Sequence, residues 1–321
     1  MVRRVELRVV REKPRDRSSF RDLCGFLDVS IVVDDGSYLH VGAGREVFEA
    51  DVEKLKELYV KRGIIDISLL RGTEYQDFAS TSRGVVIPGS SVKGNVRAKL
   101  ELSFHNFQGS VRSCFIKAGI IRGISIGTSG WRHQRVWSET VFEDRGFPCD
   151  FTRIGSVCLL CDLFGTSGLK GLIDFSDFVC PDVKLEALNL PYGIKVRAAP
   201  PGTTFNGRID FTNLKDYELG LLLLGMGIMN SRIGRSVILG RFKYRSLIGG
   251  KRFGRVRYRI NGLMLNRFST ELSVGSLHIR PETTILDEGI DELCKLLVDS
   301  SSEHFKNEIK IVDEVGILDG L

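Results

Sequence analysis

Apolar and polar residues alternate through Phe26–Asp35 (FLDVSIVVDD), the period-two pattern of a half-buried strand. A glycine-bearing turn, YLHVGAGREV, is predicted to follow. In FEADVEKLKELYVKRG the period lengthens, and Val52, Leu55 and Tyr59 fall near one side of an amphipathic helix. The stretch VVIP at Val85–Pro88 predicts a buried strand running into a Pro-Gly-Ser-Ser turn. Beyond it Val92, Val96 and Leu100 recur every fourth residue, so a helix capped by Ser90 or Ser91 is predicted, with Lys93 and Arg97 sharing another face. A further helix is predicted from an Asn213 cap through LKDYELGLLLLGMGIM, against the low helix propensity of its glycines. Two more are predicted over DEGIDELCKLLVDS and SSEHFKNEIKIVDEVG. Intermixed strands and helices without a fixed repeat point to an α+β fold with antiparallel pairing rather than a doubly wound parallel sheet.

Composition narrows the class. Of the 321 residues, 42% are hydrophobic and 27% charged, as in soluble globular proteins, and no apolar run approaches the roughly 20 residues that span a bilayer. The N-terminal MVRRVELRVVREKPRDR lacks the apolar centre of a signal peptide, so the expected location is cytoplasmic, with no membrane partner. Seven cysteines in such a chain suggest thiols or metal ligands rather than a disulfide framework.

The net charge of +6 is unevenly distributed. Between Leu219 and Thr270 there is no acidic residue, while eleven Lys and Arg residues, from Arg232 to Arg267, crowd the same stretch. Such self-repulsion is best relieved by a polyanion, which makes nucleic acid the first partner to consider beside the alternative of a solvated basic face. Within it, LIGGKRFGRVRYRI offers Gly249, Gly250 and Gly254 for close backbone approach, Lys251, Arg252 and Arg255 for phosphates, and Phe253 for stacking. A plain β-hairpin with outward basic residues is the alternative.

Two other places offer chemistry. The Pro88–Ser91 turn brings backbone N–H groups and the Ser90 and Ser91 hydroxyls to a helix start, where Lys93 and Arg97 add donors for a phosphate; the spacing is not that of a Walker loop. Cys158 and Cys161 form a Cys-x-x-Cys pair, and Cys149 lies nine residues upstream. A fourth metal ligand is sought in the order Cys114, His133, His105. Such a centre would be a structural zinc; without it the pair would be small buried residues.

Taken in order, these stretches resemble a known family. VIPGSSVKGNVRAKLE is similar to the IPGSS-x-KG-x-x-R signature of CRISPR-associated RAMP proteins, specifically the backbone (Csm/Cmr-type) subunits of type III effector complexes. LHVGAGRE, CLLCDLFGTSGLKGLIDFSDF, PPGTTFNGRI and IGGKRFGRVRY resemble its further motifs, over roughly Phe26–Ile260. The sequence departs from the pattern in a helical insertion after Gly44 and in a long C-terminal extension. The resemblance implies a ferredoxin-like (RRM-like) sheet: one RAMP domain with its core at about 26–265, insertions at about 45–80 and 104–160, and an extension at 266–321 packed on the core. It implies CRISPR guide RNA, complementary target RNA and other RAMP subunits as partners. It also implies a metal-assisted cut of target RNA, using Mg²⁺ or Mn²⁺, by an aspartate ahead of the IPGSS strand. Asp77 is nearest in spacing, with Asp66 and Asp51 as alternates and Glu74 nearby. A non-catalytic guide-binding subunit and a repeat-RNA processing endoribonuclease are the other readings.

Overall fold

The computed structural model describes residues 5–49, 52–63, 73–116, 125–245 and 247–321. The alternation around Phe26 becomes strand β1 (Leu23–Val33), in which Leu27, Val29, Ile31 and Val33 are buried on one side. The chain continues through β2 (Gly42–Glu49), α1 (Val52–Arg62), β3 (Thr73–Phe78), β4 (Gly84–Ile87), α2 (Gly89–Ser103), α3 (Ser129–Val136) and α4 (Leu159–Phe164). Then come β5 (Ile173–Phe175), β6 (Phe178–Cys180), β7 (Glu186–Leu190), β8 (Ile194–Ala198), β9 (Thr204–Leu214) and α5 (Asp216–Gly225). The last are β10 (Val237–Ile238), β11 (Arg255–Leu265), β12 (Thr284–Leu286), α6 (Glu288–His304) and α7 (Glu314–Asp319), with shorter pieces between.

The fold is α+β. Its main sheet has nine strands in the order β10-β11-β1-β9-β6-β4 followed by Ser80–Thr81, with β5 also beside β9 and β12 beside β11. Long β1 lies between β9 and β11 and pairs antiparallel with both. Helix α5 packs against α2 and α6. Leu219 and Leu221–Leu224 are all buried, as a helix surrounded by neighbours requires. Gly220 belongs there for a packing reason: a Cβ would lie 1.9 Å from the Leu297 carbonyl oxygen of α6. A second sheet, β7-β8-β3-β2, carries a hairpin whose tip is Pro191–Gly193. No helix among the described residues is long and apolar enough to cross a membrane.

Several local expectations are corrected. The stretch from Gly42 is not a turn but β2, irregular between Gly42 and Glu46 where it pairs with β3. Helix α2 starts two to three residues earlier than expected: Pro88 is its N-cap, and the Gly89 amide donates to Asp177 Oδ1 at 2.9 Å, so a side chain of the protein itself takes the anion position at that end. Asn213 is not a helix cap; it holds φ at +54° and donates through Nδ2 to the Asp16 and Ser19 carbonyls, while Lys215 caps α5. The two C-terminal helices divide differently, because α6 runs on to His304 and only Glu314–Asp319 of the following stretch is helical. That short α7 closes the sheet edge at β10: the Ile238 amide donates to Glu314 Oε1 at 2.8 Å, and the same carboxylate meets Lys99 Nζ at 3.3 Å.

Candidate nucleic-acid interface and metal centre

Four cysteines from three chain segments converge. Cys161 lies on α4, Cys158 is its N-cap, Cys149 approaches from the preceding loop and Cys114 from the loop after α2. All four are buried, and their Sγ atoms lie within 4.8 Å of one another. Cys114 Sγ is 3.5 Å from Cys161 Sγ and 3.8 Å from Cys158 Sγ. A tetrahedral zinc with Zn–S near 2.3 Å separates its sulfurs by about 3.8 Å, so the cluster could hold such a metal. Backbone amides point at the sulfurs: Cys158 N–H donates to Cys149 Sγ at 3.3 Å and Cys114 N–H to Cys158 Sγ at 3.4 Å. Hydrogen bonds with Cys114 push the Cys149 and Cys161 thiols down and that of Cys158 up, and the bond with Cys149 pushes Cys114 up. Neither alternate histidine belongs to this group: the His133 ring stands edge-on to Tyr244, and His105 lines a groove with Trp137 and Lys310.

Arg97 is drawn to the same place, which corrects its assignment to guide phosphate. It is buried; Nε donates to Glu101 Oε1 at 2.7 Å, Nη1 to the Gly165 carbonyl at 2.6 Å and Nη2 to Cys161 Sγ at 3.1 Å. All three nitrogens are committed inside the core. Lys93, half-buried, donates to the Ile173 carbonyl at 2.9 Å and so ties α2 to β5. Ser90 is exposed and Ser91 half-buried.

The glycine-rich loop divides in the same way. Gly249 and Gly250 turn at φ +58° and +73° between Ile248 and Lys251, and Gly254, at +74°, leaves no room for a side chain beside the Leu239 carbonyl. Arg252 is exposed, with Nη1 3.1 Å from Asp319, and Lys251 lies over the Tyr38 ring at 4.7 Å. Phe253 and Arg255 are not available as expected. Phe253 is buried against Tyr38 and Phe242, and Arg255 is buried with Nη1 on the Lys243 carbonyl at 2.9 Å and Nη2 3.2 Å from Asp319.

Beside this turn lies an open groove of about 620 Å³ that the sequence reading missed. Gly249, Leu247, Arg245, Arg132 and Thr128 at the start of α3 line it, together with Tyr192 at the hairpin tip. Tyr192 is 91% exposed with φ +63°. The signal for it was present: Pro-Tyr-Gly between EALNL and IKVRA marks a hairpin turn.

Asp77 lies on β3 rather than in a loop, and it is buried. Its Oδ2 accepts from Arg45 Nε and lies 3.1 Å from Arg45 Nη2; Oδ1 accepts from the Phe78 amide at 2.9 Å, with Arg197 Nη1 at 3.6 Å. Both oxygens are therefore engaged. Asp51 and Asp66 lie outside the described residues, and so does the side chain of Glu74. Close by, His40 is fully buried with Nδ1 2.8 Å from the Arg197 carbonyl oxygen, and burial lowers its pKa.

In comparison with known families, the RAMP superfamily matches residues 37–262, more than two thirds of the chain. No curated protein matches it.

Proposed function

Because this chain belongs to the RAMP superfamily, we propose that it binds CRISPR guide RNA as a backbone subunit of a type III interference ribonucleoprotein. The observation that carries this reading is the groove at the Gly249–Gly250 turn, lined by exposed Tyr192 together with Arg245 and Arg132. A single RNA strand needs cations along its phosphates and π-surfaces for its unstacked bases, and the groove supplies both, with Gly249 in its lining to admit the backbone. Lys251 and Arg252 extend the cationic side. The partners under this reading are guide RNA, complementary target RNA and other RAMP subunits.

The non-catalytic form of the reading is favoured by Asp77. A buried strand carboxylate already paired with Arg45 and Arg197 and accepting from a backbone amide has its charge matched within the protein, unlike the open loop carboxylate that an Mg²⁺ or Mn²⁺ site would call for. Its role is to hold the arginines of the second sheet. For the four thiolates we assign Zn²⁺, which supplies a closed tetrahedral staple; the chain's own residues do the holding, and no open position is left for chemistry.

The test is recovery of the native complex and sequencing of its RNA. CRISPR-derived guides are expected, and an RNA-free protein or unrelated transcripts would overturn the proposal. Purified protein should also bind single-stranded RNA with a salt slope that becomes shallower by about 1.4 in the Lys251→Ala, Arg252→Ala double variant, two phosphate contacts at about 0.7 each.

A further inference from the structure

We propose that Arg97 and Arg11 are the outer shell of the four-cysteine centre, two guanidiniums that hydrogen-bond its sulfurs, balance its charge and couple metal binding to helix α2. The inference rests on the zinc reading of the thiols. A divalent zinc with four thiolates carries two net negative charges, and these must be compensated when the cluster is buried. Backbone amides reach two of the sulfurs but bring no formal charge. The compensation comes from side chains on two different sulfurs of the centre: Arg97 Nη2 donates to Cys161 Sγ at 3.1 Å, and Arg11 Nε to Cys149 Sγ at 3.3 Å. Two guanidiniums thus meet the excess negative charge, Arg97 sharing its own charge with Glu101.

Both arginines are held by other bonds, which makes them positioning residues rather than passing contacts. Arg11 Nη2 donates to the Phe147 carbonyl at 2.8 Å, fixing the loop that delivers Cys149. Arg97 is fixed by Glu101 and by the Gly165 carbonyl at the end of α4, so one side chain laces α2 to the helix that carries Cys161. Glu101 in turn accepts from the Ile116 amide at 3.3 Å, two residues beyond Cys114. The path from α2 to the sulfurs is therefore continuous through Glu101, Arg97 and Cys161, with a branch to the Cys114 loop. Metal ligands depend on such outer partners for their orientation, and losing one typically weakens binding 10–100-fold.

The experiment uses the full chain. Zinc content is measured first, and zinc affinity is then determined by competition with a chromophoric chelator for wild type, Arg97→Gln and Arg11→Gln. Each variant is expected to bind one zinc at saturation but about 10–100-fold more weakly. After exchange with Co²⁺, the thiolate-to-metal charge-transfer band should move to longer wavelength in both, because a sulfur that loses an N–H donor gives up electron density more readily; a merely structural role would leave the band in place. Arg11→Lys, which restores charge, should recover part of the affinity. If Arg97→Gln does not fold, Arg11→Gln alone decides, since Arg11 is only half-buried. Zinc-loaded variants with wild-type affinity and an unshifted band would overturn the outer-shell assignment and leave the zinc reading standing. A wild-type protein prepared without chelators that holds no zinc would overturn the zinc reading itself.

Discussion

Replacing Glu314 by Gln should be among the most damaging single changes in this protein. The carboxylate is buried where α7 meets α2 and the sheet edge, 3.3 Å from Lys99 Nζ, and it accepts from the Ile238 amide. Lys243 approaches the same carboxylate, and burial lowers the pKa of both lysines while Glu314 opposes that shift. Gln keeps the shape and an acceptor for Ile238 but removes the charge that both ammoniums face. Breaking a buried ion pair by removing one partner costs about 3–5 kcal/mol, because the remaining charge is left uncompensated. The cost should shrink as pH rises toward 10: a folded-state lysine with a lowered pKa releases its proton first, which favours the folded state as pH increases. Urea unfolding followed by the fluorescence of Trp137, whose indole donates to Tyr244 beside this cluster, gives the stability directly. A double-mutant cycle with Lys99→Met isolates the pair, and the double variant should recover much of the loss. A cost below about 1 kcal/mol at neutral pH, or no coupling in the cycle, would refute the claim that Glu314 compensates buried charge.

Other consequences can be measured separately. Tyr192→Ala should weaken single-stranded RNA binding by about 1–3 kcal/mol with no change in unfolding temperature, because the ring is almost wholly exposed; an unchanged affinity would remove the hairpin tip from the interface. Arg255→Ala should lower stability, whereas Arg252→Ala should change RNA affinity and its salt dependence, so equal behaviour of the two in thermal and binding assays would contradict their different burial. Stability should fall as pH drops below about 6.5, because burial lowers the pKa of His40, His133 and His304 while the unfolded chain takes up the protons; His40→Asn should reduce the slope of that part of a thermal pH profile, and an unaltered profile would exclude His40 as a contributor.

The four-cysteine cluster was legible because Cys-x-x-Cys fixes two thiols in one turn, with Cys149 and Cys114 in the preceding segments. Arg97 was not. With Glu101 four residues later it reads as an ordinary surface pair on a helix, and hydrophobic periodicity marks only the Val92, Val96, Leu100 stripe. Helix α2, however, packs against α4 and β5 as well as α5, which buries a second face that only tertiary structure reveals. The same holds for the glycine-rich loop. Its glycines announced a close-packed turn, but the partner of Arg255 is Asp319, 64 residues away in the chain. The α+β class followed from strand alternation, whereas β2 was masked by its glycines and the start of α5 by the polar Asn213 just ahead of it.

The two ends of the main sheet order are pieces of two residues each, Ser80–Thr81 and Val237–Ile238. At the second, an amide that could have paired with a foreign strand is already engaged by Glu314. Short, capped edges offer little template for strand addition, which is how sheet proteins resist polymerising through their backbones. Under the proposed function, subunits that neighbour this chain along a shared RNA would therefore meet the edges of the main sheet through side chains and loops rather than by strand addition. Contacts of that kind can be specified residue by residue and undone without unravelling the sheet.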